Sequence, residues 1–158
     1  MPKVAAGRSA HSAAKKGLKP AESFGYMVNY LARLYARAMG REMARHGVQV
    51  GYVPVLLALW DAEGQTQSEL AIRARIEQPT MAATLTRMER DGLIHRKRDL
   101  HDRRATRITL TAKAHRLREP LTVAGRTINV RSVALLKAVS PAQFLAALHE
   151  VAAALARD

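Results

Sequence analysis

Two short helices separated by only three residues constrain the fold of this 158-residue chain more than any other feature. The first, TQSELAIRARI, opens with Thr66 and Glu69 at the T-x-x-E spacing of a capping box, which marks a helix start. The second, PTMAATLTRMERD, opens at Pro79, where the missing N–H costs nothing, and is closed by Gly92. Helices joined by so tight a break, here residues 75–77, are typical of a helix-turn-helix.

The second of these helices has the composition of a DNA-reading helix. A rotation of about 100° per residue places Met81, Leu85 and Met88 on one side. The side chains that point the other way are small, hydroxyl-bearing or basic: Pro79, Thr80, Ala83, Thr86, Arg87 and Arg90. Such a face is slim enough for a major groove, with arginine for guanine edges and threonine for phosphates. We therefore predict that this helix reads DNA.

A β-hairpin is predicted directly after the reading helix. A first strand leaves Gly92, residues 99–104 form a charged turn, and residues 106–110 alternate polar and apolar as a half-buried strand does. In this alternation Ile108 faces inward and Arg107 faces outward. A hairpin in this position is the wing of a winged helix-turn-helix.

The predicted wing is crowded with positive charge. Residues 96–111, RKRDLHDRRATRITLT, include six Lys or Arg and two Asp. Its predicted DNA-contacting residues are Arg96, Arg98, Arg103, Arg104 and Arg107. Like charges on one loop repel each other unless an acidic partner lies opposite. DNA supplies one, because the negative potential of the minor groove attracts arginine.

The whole chain is basic, with a formal net charge of +13 and a pI of about 11.0. A fold does not need this charge, whereas a polyanionic partner explains it, and the motifs favour nucleic acid over an anionic membrane.

The sequence has no cysteine, which excludes disulfides, thiolate metal sites and cysteine-based redox sensing. No apolar run approaches the roughly 20 residues of a spanning helix, and the first residues lack the apolar region of a secretory signal. We expect a cytoplasmic protein.

Amphipathic helices flank the predicted winged helix-turn-helix on both sides. Apolar residues recur at spacings of three and four from Phe24 to Met39, and again after Ser140, where an N-cap Ser, a Pro and a Gln mark a helix start. Between these segments a long helix is predicted from Thr111 to Ala138, kinked near Pro120. Residues 1–20 hold five Lys or Arg and no acid, so they are interpreted as a basic arm, either a DNA tether or a solubilising tail.

From about Val50 to Leu117 the sequence resembles the MarR family of bacterial winged-helix regulators. The wing signature of that family is D-x-R, five residues, then L-T, and residues 102–111 fit it without a gap. Ser68-Glu69-Leu70-Ala71 and the segment from Met88 to Ile94 are also similar to the family pattern. Ala83 departs from it, because that position often carries a larger polar or basic residue.

The resemblance implies a homodimer in which terminal helices of two chains interlock, and two winged helices read a pseudo-palindrome. The implied dimerisation residues are Phe24, Met27, Leu31, Phe144, Leu148, Val151 and Leu155. Asp102 would hold Arg104, and Arg104 would enter the minor groove. The implied major-groove and phosphate contacts are made by Gln78, Pro79, Thr80, Thr84 and Arg87. Many members bind small aromatic or phenolic anions that lower DNA affinity, so such an effector is expected.

The resulting prediction is a mainly α fold with a small β-hairpin wing, and a ligand-responsive repressor of the bacterial nucleoid. We divide the chain into a basic arm (1–20), an N-terminal dimerisation helix (21–50), a DNA-binding lobe (51–111) and C-terminal dimerisation helices (112–158). The candidate effector-pocket residues are Tyr30, Arg33, Tyr35 and Trp60, with a plain dimer core as the alternative for the tyrosines.

Two other function classes are weighed against a regulator. An architectural or RNA-associated basic protein would bind by charge, with a steep salt dependence and no specificity gap. An enzyme is not expected, because the sequence holds no nucleophile elbow, P-loop or dinucleotide fingerprint. The six histidines form no ligand cluster, so surface or capping roles are favoured over a metal site, and no cofactor is predicted.

Overall fold

The computed structural model describes residues 19–99 and 105–157. Over these ranges the fold is mainly α with one antiparallel hairpin, which confirms the predicted fold class. The elements are α1 (Phe24–Arg45), α2 (Val53–Asp61), α3 (Gln67–Ala74), α4 (Gln78–Arg90), β1 (Ile94–Arg98), β2 (Thr106–Leu110), α5 (Ala112–Val133) and α6 (Pro141–Leu155). Short 3-10 turns at Pro20–Glu22 and Val50–Tyr52 precede α1 and α2. Two compact units divide between Arg37 and Ala38, within α1.

The helix-turn-helix forms through the local signals that predicted it. The Thr66 side chain accepts a hydrogen bond from the Glu69 N–H at 3.3 Å, and the Glu69 carboxylate accepts one from the Thr66 N–H at 2.6 Å, which completes the capping box. α3 ends at Ala74, and the φ of +54° at its C-cap Arg75 is left-handed and lets the chain turn back sharply. α4 then begins at Gln78, one residue before the predicted Pro79.

A single hydrophobic cluster holds α2, α3, α4, the hairpin and the first half of α5 together. Its fully buried members include Leu56, Leu59, Leu70, Leu85 and Met88. Full burial of one such side chain contributes about 1.5–3 kcal/mol relative to exposure. This cluster fixes the orientation of α4 in the lobe, because it holds the three residues predicted to share the inner side of that helix.

The hairpin is packed on the same cluster by alternate side chains. β1 and β2 pair with Ile94 opposite Leu110 and Arg98 opposite Thr106. Ile108 and Leu110 are buried, as the alternation predicts. A bridge between Gln65 and Ile108 adds the segment before α3 to the exposed edge of β2, so the wing is held from two sides.

The terminal helices bury much less than the lobe. In α1 Phe24 is 89% exposed, and in α6 Leu155 is 71% exposed. α5 continues through Pro120 and ends at Val133, which is shorter than the predicted end at Ala138, because the chain turns before Ser140 caps α6. Among the helices of the described residues, none combines the length and the apolar character needed to cross a membrane.

Candidate nucleic-acid interface

One face of α4 is open to solvent, and it is the face predicted to read DNA. The exposed residues of this face are Gln78, Pro79, Thr80, Ala83, Thr86, Arg87 and Arg90. On the opposite side Met81, Leu85 and Met88 are completely buried. Since the buried side anchors the helix, the exposed side presents small, hydroxyl and arginine groups in a fixed orientation. Such a surface fits base edges and phosphates in a major groove.

Thr84 does not belong to this surface, and its predicted role as a DNA contact is wrong for that reason. Its side chain is buried at 3% exposure, because position 84 lies beside Leu85 on the core side of α4. The Thr84 hydroxyl accepts a hydrogen bond at 3.3 Å from a terminal nitrogen of Arg87. Thr84 therefore positions the Arg87 guanidinium on the exposed face.

The C-terminal end of α4 is fastened to two other parts of the lobe. The buried Tyr52 donates its phenolic hydrogen bond to the Asp91 carboxylate at 2.8 Å. Lys113 of α5 donates to the Asp91 carbonyl at 2.9 Å, and Arg90 donates through Nε to the Asp91 carboxylate at 3.0 Å. Sequence reasoning missed Tyr52 and Asp91, since no motif joins positions 39 residues apart.

The same contacts shift the pKa values of Tyr52 and Asp91. The Tyr52 hydrogen bond, followed by that of Arg90, lowers the pKa of the Asp91 carboxyl below its ordinary value. Burial, followed by the hydrogen bond to Asp91, raises the pKa of Tyr52. Both shifts favour the observed state, a neutral phenol that donates to a charged carboxylate.

The predicted wing residues differ in their surroundings. Arg98 is exposed at the end of β1 and suits a contact with DNA. Arg96 reaches back to α4, with its guanidinium 3.4 Å from the Thr86 hydroxyl and 3.3 Å from the Glu89 carboxylate. Three further predicted residues lie outside the described ranges: Asp102, Arg103 and Arg104.

Arg107 was predicted to face outward toward DNA, and the structure places it differently. Its side chain is only partly exposed, and its Nε donates to the Asp99 carboxylate at 2.5 Å. Its Nη1 lies 3.1 Å from the Gly64 carbonyl and 3.4 Å from the Glu69 carboxylate. Arg107 therefore faces protein acceptors at the base of the wing, because carboxylates lie beside it where the sequence pattern suggested open solvent.

Trp60 was predicted to line an effector pocket, and the structure places it in the core of the lobe. Its indole is largely buried in the core and donates to the Ala114 carbonyl at 3.1 Å. In α1 the Arg33 guanidinium lies 5.9 Å from the centre of the Tyr30 ring, which is stacked against Tyr26. Tyr35 is half-buried. These three α1 residues stay candidates for an effector contact or a dimer core.

A cleft of about 610 Å³ lies between the C-terminal part of α1 and the middle of α5. Sequence reasoning missed it, because its two walls are more than 70 residues apart in the chain. Its lining combines apolar and charged side chains: Glu42, Arg45, His46, Glu119, Pro120, Val123, Ala124, Thr127, Ile128 and Arg131. The volume suits a small organic molecule, and Arg131 provides charge for an acid group, whereas Arg45 is paired with Glu42 at 2.8 Å.

Comparisons with known proteins agree with this geometry. A sequence model of the MarR family matches residues 53–106, which run from α2 into β2. The HTH-type transcriptional regulator TtmR of Methylorubrum extorquens (strain PA1) is 33% identical over 107 residues, a match that spans 65% of this chain and only 55% of TtmR.

Solved structures share the architecture along most of the chain. The PcaV transcriptional regulator from Streptomyces coelicolor, solved with its natural ligand, has a TM-score of 0.78 at 25% identity and covers 89% of this chain and 99% of its own. MepR of S. aureus, solved as a DNA complex, has a TM-score of 0.73 at 21% identity, with 84% of this chain and 96% of its own covered, a likeness of fold. The chain is thus similar to MarR-family regulators, and residues 53–106 are the segment that the model of that family matches.

Proposed function

We propose that the protein is a transcriptional regulator that binds duplex DNA sequence-specifically through α4 and the wing. The observation that carries this proposal is the exposed face of α4, where Arg87 and Arg90 accompany Thr80 and Thr86 above a fully buried anchor. The exposed Arg98 lies on the adjoining wing strand. The net charge of +13 provides the long-range attraction for a polyanion.

We propose a homodimer as the DNA-binding form. In a single chain the apolar residues of α6 are exposed, with Leu145 at 56%, Val151 at 51% and Leu155 at 71%. Water-exposed apolar stripes of this kind mark association surfaces. Two chains would present two copies of α4 to half-sites about one helical turn apart on a pseudo-palindromic operator. A protein with this role works beside the chromosome, so we place it in the cytoplasm with the nucleoid.

We further propose that a small aromatic or phenolic acid releases the protein from its operator, as a repressor requires. The cleft between α1 and α5 supports this, since Ile128 and Val123 offer apolar contact and Arg131 offers charge for a carboxylate. PcaV, whose structure contains a natural ligand, has a similar fold. A ligand that prefers a dimer with altered half-site spacing would lower operator affinity by shifting the population.

The test is a salt-titrated binding assay with two duplexes of equal length. One carries the DNA that flanks the gene of this protein, and the other carries a scrambled sequence. A specific regulator binds the first about a thousandfold more tightly or better. Equal affinities with equal salt slopes would contradict the proposal and favour the architectural alternative, which binds by charge alone.

The effector proposal has its own measurement on the same complex. Benzoate and salicylate are titrated into the operator complex, with cyclohexanecarboxylate as an acid of similar size without an aromatic ring. We expect the aromatic acids to weaken operator binding in the wild-type protein and to lose this effect in Arg131→Gln. An equal effect of all three acids on both proteins would show that ionic strength, and not the cleft, is responsible.

A further inference from the structure

We infer that Arg107 is a positioning residue that fastens the wing to the helix-turn-helix, so that it does not serve as a DNA contact. This inference rests on the proposed DNA-binding function and names how one part of that site is held. It changes the role of a residue whose position in a basic hairpin otherwise suggests a phosphate ligand.

The contacts of Arg107 join three separate segments. Its Nε donates to Asp99, the residue that follows β1, at 2.5 Å. Its Nη1 reaches the carbonyl of Gly64 in the loop after α2 at 3.1 Å and the carboxylate of Glu69 in α3 at 3.4 Å. One guanidinium therefore ties the end of the first wing strand to the start of the helix-turn-helix, because its donors form a rigid fork.

The acceptor at the centre of this arrangement is well protected. The Asp99 side chain is 13% exposed, whereas the Glu69 side chain is 54% exposed. Glu69 also accepts from both the backbone and the hydroxyl of Thr66, and these bonds, followed by the charge of Arg107, lower the pKa of its carboxyl. A phosphate that recruited Arg107 would have to separate it from a largely buried carboxylate, which is costly.

The opposite side of the hairpin has a second attachment. Arg96 pairs across the strands with Ile108, one position from Arg107, so the two arginines project from opposite faces. Arg96 reaches Thr86 and Glu89 of α4. The two strands of the wing are thus attached to different helices of the reading unit, Arg107 to α3 and Arg96 to α4, and this double attachment sets the angle of the wing.

The decisive experiment is a double-mutant cycle on operator affinity with Arg107→Gln and Asp99→Asn. If Arg107 is held by Asp99, Asp99→Asn lowers affinity roughly three- to tenfold in the wild-type background. In the Arg107→Gln background the same substitution raises affinity, because it then only removes a negative charge near DNA. If Arg107 instead contacts phosphate, Asp99→Asn raises affinity in both backgrounds, and the inference is overturned.

A DNA-free measurement separates this inference from the proposed function. The Asp99 N–H donates to the Ala105 carbonyl at 3.0 Å at the mouth of the hairpin. We expect Arg107→Gln to speed hydrogen exchange at this amide in the free protein, and Arg98→Gln, the matched loss of an exposed wing arginine, to leave it unchanged. Unchanged exchange in Arg107→Gln would overturn the inference. A wild-type protein with no preference for its operator would instead defeat the proposed function, and the exchange result would still decide the role of Arg107.

Discussion

The helix-turn-helix lobe and the terminal helices use apolar residues in opposite ways. In the lobe, leucines such as Leu56, Leu70 and Leu85 are fully buried within one chain. In α6, Leu145 and Leu155 are more than half exposed. The lobe therefore buries its apolar residues within its own chain, whereas the exposed apolar surface of α6 is the surface that the proposed dimer would bury. This difference teaches that folding of the helix-turn-helix lobe and the proposed dimerisation depend on separate sets of residues.

The largest effect is expected from Leu85→Ala in the lobe. Removal of this buried side chain should lower the free energy of unfolding by about 2–5 kcal/mol, through lost burial and a residual cavity. Denaturant unfolding at several protein concentrations measures it, and the decrease should be the same at each. A decrease that disappears at high concentration would show that the lobe core also depends on association.

The next effect is expected from Leu148→Glu in α6. A charge on the proposed dimer surface should separate the chains and weaken operator binding roughly a hundredfold or more, because two linked half-site contacts become independent. Sedimentation gives the oligomeric state and a binding titration gives the affinity. Ala146→Glu adds the same charge on the other face of α6 and should leave both unchanged. A stable dimer of Leu148→Glu would contradict the assigned surface.

A smaller effect is expected from Arg87→Ala on the exposed face of α4. Loss of a base contact should weaken the binding free energy for the operator by about 1–3 kcal/mol. It should also reduce the difference in affinity between operator and scrambled DNA. The control is Arg73→Ala on α3, which removes a positive charge that is paired with Asp61 of α2. If Arg87→Ala weakens both duplexes equally, Arg87 is a phosphate contact and carries no specificity.

The smallest effect is expected from Tyr52→Phe, which removes the hydroxyl bonded to Asp91. The melting temperature should fall by roughly 3–6 °C at neutral pH. The pKa of Asp91 is lowered, so its contribution is present above its ordinary pKa of 3.8 and is lost as the pH falls through the folded value. The pKa of Tyr52 is raised, so its contribution is present below 10.0 and is lost as the pH rises through the folded value.

The difference in melting temperature between the wild type and Tyr52→Phe should therefore become smaller at both the acidic and the alkaline end of a pH series. Thermal unfolding of the wild type and Tyr52→Phe across that series checks this expectation. Tyr26→Phe, at an exposed tyrosine of α1, serves as the control and should melt like the wild type throughout. A difference that stays constant down to strongly acidic pH would show that the hydroxyl acts without the Asp91 charge.

Local signals explain why much of the winged helix-turn-helix was predictable from the sequence. Three of these signals act within a few residues of the chain: the capping box at Thr66, the proline at position 79 and the alternation around Ile108. Because each signal is short-range, it can be recognised in the sequence alone. Burial was harder to predict at the margin of a helix face. Thr84 lies on that margin. Its polar hydroxyl favours an exposed side chain, whereas packing against the core buries it.

Side-chain partners from distant segments were beyond such signals. Arg107 finds Gly64 and Glu69 across 43 and 38 positions of sequence. Trp60 donates to Ala114 across 54 positions. The residue type limits which contacts a charged or aromatic side chain can make. Which of these contacts form depends on the neighbours that the tertiary structure places beside it.

The sequence by itself determined the helix-turn-helix, the hairpin after it, the basic character of the chain and its MarR-type signature, because these features follow from short-range capping, turn and periodicity rules. The tertiary structure alone decided which of the basic and aromatic residues remain exposed. It buried Thr84 and Trp60, bonded Tyr52 to Asp91 and turned Arg107 toward carboxylates. The physical reason is that desolvation and hydrogen-bond geometry depend on atoms brought together by packing, which no local pattern contains.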